Sequence, residues 1–161
     1  MNNKTPPKNN KLKKILFLAF CFISIFFISC EKEGNETVIS QYLSSESHNF
    51  GNNCMECHQK SGDGEGWFTA AGSVSNADQT SPYPNATVEL TTLSQNTGTV
   101  IKTIEVDTKG NFYTTENISF GSGLYVTVKG QNGEVQHMLA PITSGECNLC
   151  HGSTTPKIWI N

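Results

Sequence analysis

Two copies of one pentapeptide pattern constrain this chain more than anything else in it. Cys54-Met55-Glu56-Cys57-His58 and Cys147-Asn148-Leu149-Cys150-His151 are both C-x-x-C-H, with their first cysteines 93 positions apart. Thiols three residues apart lie on one turn of chain, so each motif offers two sulfurs to one partner with an imidazole directly behind them. Any fold must therefore present two such units from segments distant in sequence. Neither a thiol-exchange pair nor a four-thiolate zinc site, the other uses of paired C-x-x-C, needs a histidine after the second cysteine. Only 4 of the 161 residues are histidine. Chance alone would place one there about once in forty per motif, and at both motifs on the order of once in 1,600.

C-x-x-C-H is the attachment pattern of c-type haem. The two thiols add to the vinyl groups on one porphyrin edge, and the histidine becomes the proximal iron ligand. The expected cofactors are two covalently attached haems c, with their iron, one on Cys54, Cys57 and His58 and one on Cys147, Cys150 and His151. Two spare histidines, His48 and His137, match in number the sixth ligands that two low-spin irons need, and imidazole is the commonest metal ligand. A histidine upstream of C-x-x-C-H resembles the arrangement in multihaem c-type cytochromes, where it often serves a neighbouring haem. That resemblance covers only the pentapeptides and the histidines. It implies bis-histidine ligation, with a crossed arrangement open. Met138, adjacent to His137, is the rival ligand for one iron and would raise its potential. The helical class I cytochrome fold is not expected, because the span between the motifs is β-like and no helix follows His151. Phe50, Trp67, Phe68 and Trp159 suit porphyrin faces and core packing equally.

The N-terminal segment is an address. Lys4, Lys8, Lys11, Lys13 and Lys14 precede an apolar run from Ile15 to Ser29, so residues 1–29 form a signal peptide. The run is shorter than the roughly 20 residues of a membrane span. Phe27-Ile28-Ser29-Cys30 resembles a bacterial lipobox, which implies lipidation at Cys30. One acyl chain anchors only marginally, so the resemblance implies several. Glu31-Lys32-Glu33 looks like the acidic export tag of some surface lipoproteins. The expected location is the bacterial cell envelope, lipid-anchored, at the outer membrane or cell surface rather than the inner membrane. With Cys21 lost with the signal and Cys30 lipidated, the motifs account for every remaining thiol. Removing residues 1–29 from the 161 leaves 132 residues with all 14 acidic side chains and 6 of the 11 lysines, a side-chain charge of −8. That length carries one domain with a real core. The absence of arginine argues against a nucleic-acid partner. The expected partners are redox proteins of the envelope, with the membrane reached through the lipid.

Residues 30–47 are polar and read as a tether, 48–66 as the first haem-binding segment, 67–139 as a β-sandwich and 140–161 as the second haem-binding segment. Strands are expected at 67–74, 87–93, 100–106, 111–115, 124–129 and 135–139. Val88/Leu90, Ile104/Val106 and Leu124/Val126/Val128 alternate with polar residues as half-buried strands do. Asn96-Thr97-Gly98, Lys109-Gly110-Asn111, Gly121-Ser122-Gly123 and Asn132-Gly133 supply the turns. The expected fold is all-β: a small sandwich flanked by irregular haem-bearing loops, after the signal and tether. Its rhythm over roughly Trp67 to Gly130 is G-x-V, A-x-V-x-L, D-x-x-G-x-F/Y and G-x-Y-x-V. That rhythm resembles the carboxypeptidase regulatory-like, or prealbumin-like, sandwich, whose members are mostly scaffolds or binding modules. Asp107 reads as a turn residue, and no carboxylate pair, nucleophile–base arrangement or phosphate loop points to hydrolysis. The function expected is electron transfer by a dihaem c-type cytochrome, not catalysis. The alternatives are a haem enzyme or sensor with an open iron position, and a zinc-stabilised sandwich that binds a partner.

Overall fold

The computed structural model describes residues 34–161, and the domain comprises residues 35–161. The signal segment and the lipidation residue Cys30 lie outside the described residues.

The described strands are β1 (Ala70–Asn76), β2 (Thr87–Leu93), β3 (Thr97–Glu105), β4 (Asn111–Thr114), β5 (Tyr125–Lys129), β6 (Val135–His137), β7 (Gly145–Glu146) and β8 (Ile158–Ile160). They form two sheets, so the fold is all-β as expected. The second sheet has the order β3-β2-β5-β6, with every neighbouring pair antiparallel. Alternation works there as the sequence implies. Val88, Leu90, Ile104, Val126 and Val128 turn inwards and are buried together with Ala70, Val74 and Phe112 of the first sheet.

The first sheet is organised around β1. One edge of β1 pairs antiparallel with β4, from Ala70↔Thr114 to Ser73↔Asn111. Its other edge takes two short parallel partners in succession, β7 at Ala70 and Ala71 and β8 at Val74 to Asn76. Between them the chain leaves the sheet, forms the single-turn helix α1 (Cys147–Cys150) and returns. The second C-x-x-C-H is thus an excursion from the middle of the β1 edge, opposite Gly72 and Ser73. Glycine is required at position 72, since a Cβ would sit 2.6 Å from Phe112 Cζ and 2.9 Å from Cys147 Cβ.

The turn from β3 to β4 is built by a buried carboxylate. Asp107 Oδ1 accepts from the Lys109 N–H at 2.9 Å and the Asn111 N–H at 3.0 Å, which is the turn role its sequence context suggests.

Two features differ from the sequence reading. β7 and β8 fall in a segment expected to be irregular. The polar stretch expected as a tether is hydrogen-bonded to the sandwich from Asn35 onwards. The Ser40 N–H donates to Tyr113 O at 2.9 Å, the Thr115 N–H to Val38 O at 2.8 Å, and the Thr108 N–H to Ser44 O at 2.9 Å. Ser40 and Ser47 are buried.

Candidate functional site

Both C-x-x-C-H motifs rest on β1. The loop entering the first is fixed by the Gly51 N–H, which donates to Ser73 Oγ at 2.9 Å, while Ser73 in turn donates to Asn111 Oδ1 at 2.7 Å. Asn53 caps the 3₁₀ turn Cys54–Glu56 by accepting from the Met55 N–H at 3.3 Å. The second motif starts directly from β7 and packs Cys147 against the core. The two then close alike: the His58 N–H donates to Cys54 O and the His151 N–H to Cys147 O, each at 3.0 Å. One helical turn thus carries each thiol pair, and the histidine follows at its end.

The imidazoles are oriented by the same device. His58 Nδ1 lies 3.0 Å from Glu65 O, and His151 Nδ1 lies 2.8 Å from Pro156 O. A carbonyl only accepts, so Nδ1–H is the donor in both rings, which leaves Nε2 as the nitrogen available to a metal. A backbone carbonyl on the far nitrogen is the usual support of a metal-binding histidine.

Around the first motif, the His58 ring stacks on Phe68, with centroids 4.3 Å apart, and Phe68 stacks on Tyr113 of β4 at 4.9 Å. His48 faces the same ring, with centroids 5.8 Å apart and planes tilted by 38°. His48 therefore stands beside the histidine of the nearer motif and not beside His151. Gly64 lets the chain close over the ring, because a Cβ there would lie 2.7 Å from His58 Nδ1. Gly64→Ala is expected to push the imidazole off the Glu65 carbonyl and out of register with His48 while leaving the sandwich intact. NMR of the His58 ring protons, with the unfolding midpoint as control, checks this. An unmoved ring would show that the contact does not position His58.

The second motif borders a cleft of about 370 Å³, within the usual range for small-molecule sites. Cys147, Cys150 and His151 line it with Val126, Val128, Ile142, Ile158 and Trp159, and the end of β6 and the residue after it add His137 and Met138. The His137 ring is held elsewhere as well, with Nδ1 2.9 Å from the Thr127 hydroxyl.

The motif segments also touch each other. A Cβ on Gly152, the residue after His151, would come 3.4 Å from Lys157 Cγ and 3.9 Å from Gly51 O. The Lys157 ammonium lies 5.6 Å from the Phe50 ring centroid. All four thiols are free; Cys57 and Cys150 are exposed, Cys54 and Cys147 partly covered. Burial pushes the Cys147 thiol up to about 12, and the nearby Cys54 and Cys150 sulfurs add to the rise. Burial also raises the Cys54 thiol.

Each motif offers two thiols and one imidazole, the protein donors a covalently held porphyrin would use. Among the described residues no three His, Cys, Asp or Glu side chains converge as a metal cage. The four thiols therefore do not make the tetrahedral site that zinc requires. A haem iron brings four ring nitrogens of its own and needs one or two protein donors. Sequence reasoning did not find Thr127, Gly64 or Lys157, which carry no motif and gain meaning only from their neighbours. No known family model matches the chain, and no curated protein or solved structure shows significant similarity to it.

Proposed function

We propose that this protein is a dihaem c-type cytochrome that passes single electrons at the bacterial cell envelope. One observation carries the reading above the rest. Both C-x-x-C-H imidazoles donate Nδ1–H to a backbone carbonyl and leave Nε2 free, at 3.0 Å on Glu65 O and 2.8 Å on Pro156 O. That support is the one a metal-ligating histidine usually has, and its occurrence at both motifs matches a ligand role for both, which the C-x-x-C-H spacing assigns to haem iron.

In this reading Cys54 and Cys57, and Cys147 and Cys150, hold the groups through thioethers, and His58 and His151 each donate an Nε2. The bound haem supplies a one-electron iron couple. The protein's part is to fix the rings, cover one side of each site and set the two segments side by side on β1. The mature side-chain charge of −8 favours basic docking surfaces on redox partners. The lipid on Cys30 would keep those encounters at a membrane surface. The sandwich, with its carboxypeptidase regulatory-like rhythm, serves as scaffold.

Expression with a cytochrome-maturation system should yield protein whose intact mass includes two porphyrins. Cys57→Ala and Cys150→Ala should each weaken or remove one attachment. Protein that binds zinc and takes up no porphyrin would overturn the proposal.

A further inference from the structure

The segment expected as a tether is spent on the sandwich itself. Asn35 clips the main chain of Trp67 with both ends of its amide: Oδ1 accepts from the Trp67 N–H at 2.9 Å, and Nδ2 donates to Trp67 O at 2.5 Å. From there the chain runs antiparallel beside β4, with Ile39 opposite Thr114, and the Val38 N–H donates to Thr115 Oγ1 at 2.7 Å. Asn35 is thus the point at which the chain joins the domain. Cys30, the residue read as lipidated, stands five positions earlier. A chain spans at most about 3.6 Å per residue, so Cys30 lies within about 18 Å of Asn35 whatever path the residues between them take. A domain of this size has a radius of gyration of about 14 Å and is about 36 Å across. The leash is therefore no longer than half the width of what it holds.

The clip also decides which end is leashed. Trp67 closes the loop of the first motif. A Cβ on Gly66 would come 3.5 Å from Asn35 Oδ1, the Phe68 N–H donates to His58 O at 2.9 Å, and the Phe68 ring stacks on His58. The second motif lies across the sheet. The 35–44 segment borders β4, β4 pairs with β1, and the far edge of β1 takes β7 and β8 on either side of α1. Three strand spacings, about 14 Å, separate the segment from that edge.

We propose that the sandwich is held directly against the bilayer its own lipid enters, with the Asn35 end facing the headgroups and the first motif nearer to them than the second. This rests on the lipid-anchor reading of Cys30 above. So short a leash keeps the domain at the surface at an effective concentration on the order of millimolar, where weak contacts suffice to orient it. Val38, Tyr42 and Leu43, exposed on the leashed segment, supply apolar and aromatic contacts of the kind that suit a membrane interface. A redox partner embedded in the membrane then meets the first site, and the second is left on the side away from it.

The test uses the full-length, lipidated, haem-loaded protein in vesicles of phosphatidylethanolamine and phosphatidylglycerol that carry a gadolinium-chelate headgroup. Thioethers consume the four motif thiols in that protein, so Ser61→Cys beside the first motif and Ser153→Cys beside the second each take a single nitroxide. The relaxation added by gadolinium should be several-fold stronger at position 61 than at position 153. Inserting about 20 Gly/Ser residues between Glu33 and Gly34, a coil of about 25 Å, should remove that difference and leave lipid and haem in place. Equal relaxation at the two positions without the insertion, or stronger relaxation at 153, refutes the proposal in protein whose intact mass includes lipid at Cys30, and the anchor reading then stands. A mass without lipid refutes both.

Discussion

Gly145→Val is expected to cost the protein about 3 kcal/mol and to lift the second motif off the sandwich. Overpacked sites cost about 1–3 kcal/mol when side chains can shift. Here they cannot, because the added Cβ would lie 2.1 Å from Thr69 O and 2.4 Å from Ala70 Cα, both main-chain atoms. β7 would have to move away from β1, and α1 begins at Cys147, two residues later. The loss should therefore appear both in the denaturation midpoint and in faster alkylation of Cys147. Gly34→Ala is the control: nothing lies within 4 Å of its new Cβ, and surface changes of this kind stay within about 0.5 kcal/mol. An unchanged midpoint in Gly145→Val would mean that β7 does not hold the second motif.

The contrast between Gly145 and the strands around it shows what the sequence made legible. β2 occupies Thr87–Leu93, the range expected from its alternation, because one apolar face, Val88 and Leu90, against a polar one leaves no other register. β7 and β8, with two and three residues, are too short to display any period, and they pair with a strand far away in the chain. Polarity misled in residues 35–47. Ser40 and Asn35 look like tether residues until the Tyr113 and Trp67 main-chain groups that they bond are in place. The pentapeptides stood out because a doubled C-x-x-C-H is legible without any fold. The surroundings of His48 were not. That His48 stands beside His58 depends on how the loop through Gly51 folds onto Ser73.

The Cys147 thiol, held at about 12 against an ordinary value of 9.0, makes the haem-free protein vulnerable to alkali in a way the loaded protein should not be. The folded state keeps a proton that the unfolded chain releases near pH 9. This contribution to stability is therefore complete below about pH 9 and is lost as pH rises towards 12, at up to about 1.4 kcal/mol per pH unit. A thioether carries no ionisable proton, so attachment at Cys147 removes the slope. The same burial suppresses reactivity. Only the thiolate attacks, and a rise of three units lowers its population about a thousandfold near neutral pH. In haem-free protein, iodoacetamide should label the exposed Cys57 and Cys150 long before Cys147. On the dihaem proposal, attachment at the second motif precedes closure of α1 onto Gly72, since the folded thiol is both covered and protonated. Equal labelling of Cys147 and Cys150, or an alkaline unfolding profile that is the same with and without porphyrin, would contradict this order of assembly. Pulse-labelling during maturation supplies the direct measurement: Cys147 should become resistant to alkylation in one step with porphyrin uptake in the haem-loaded protein, and with folding alone when haem is withheld.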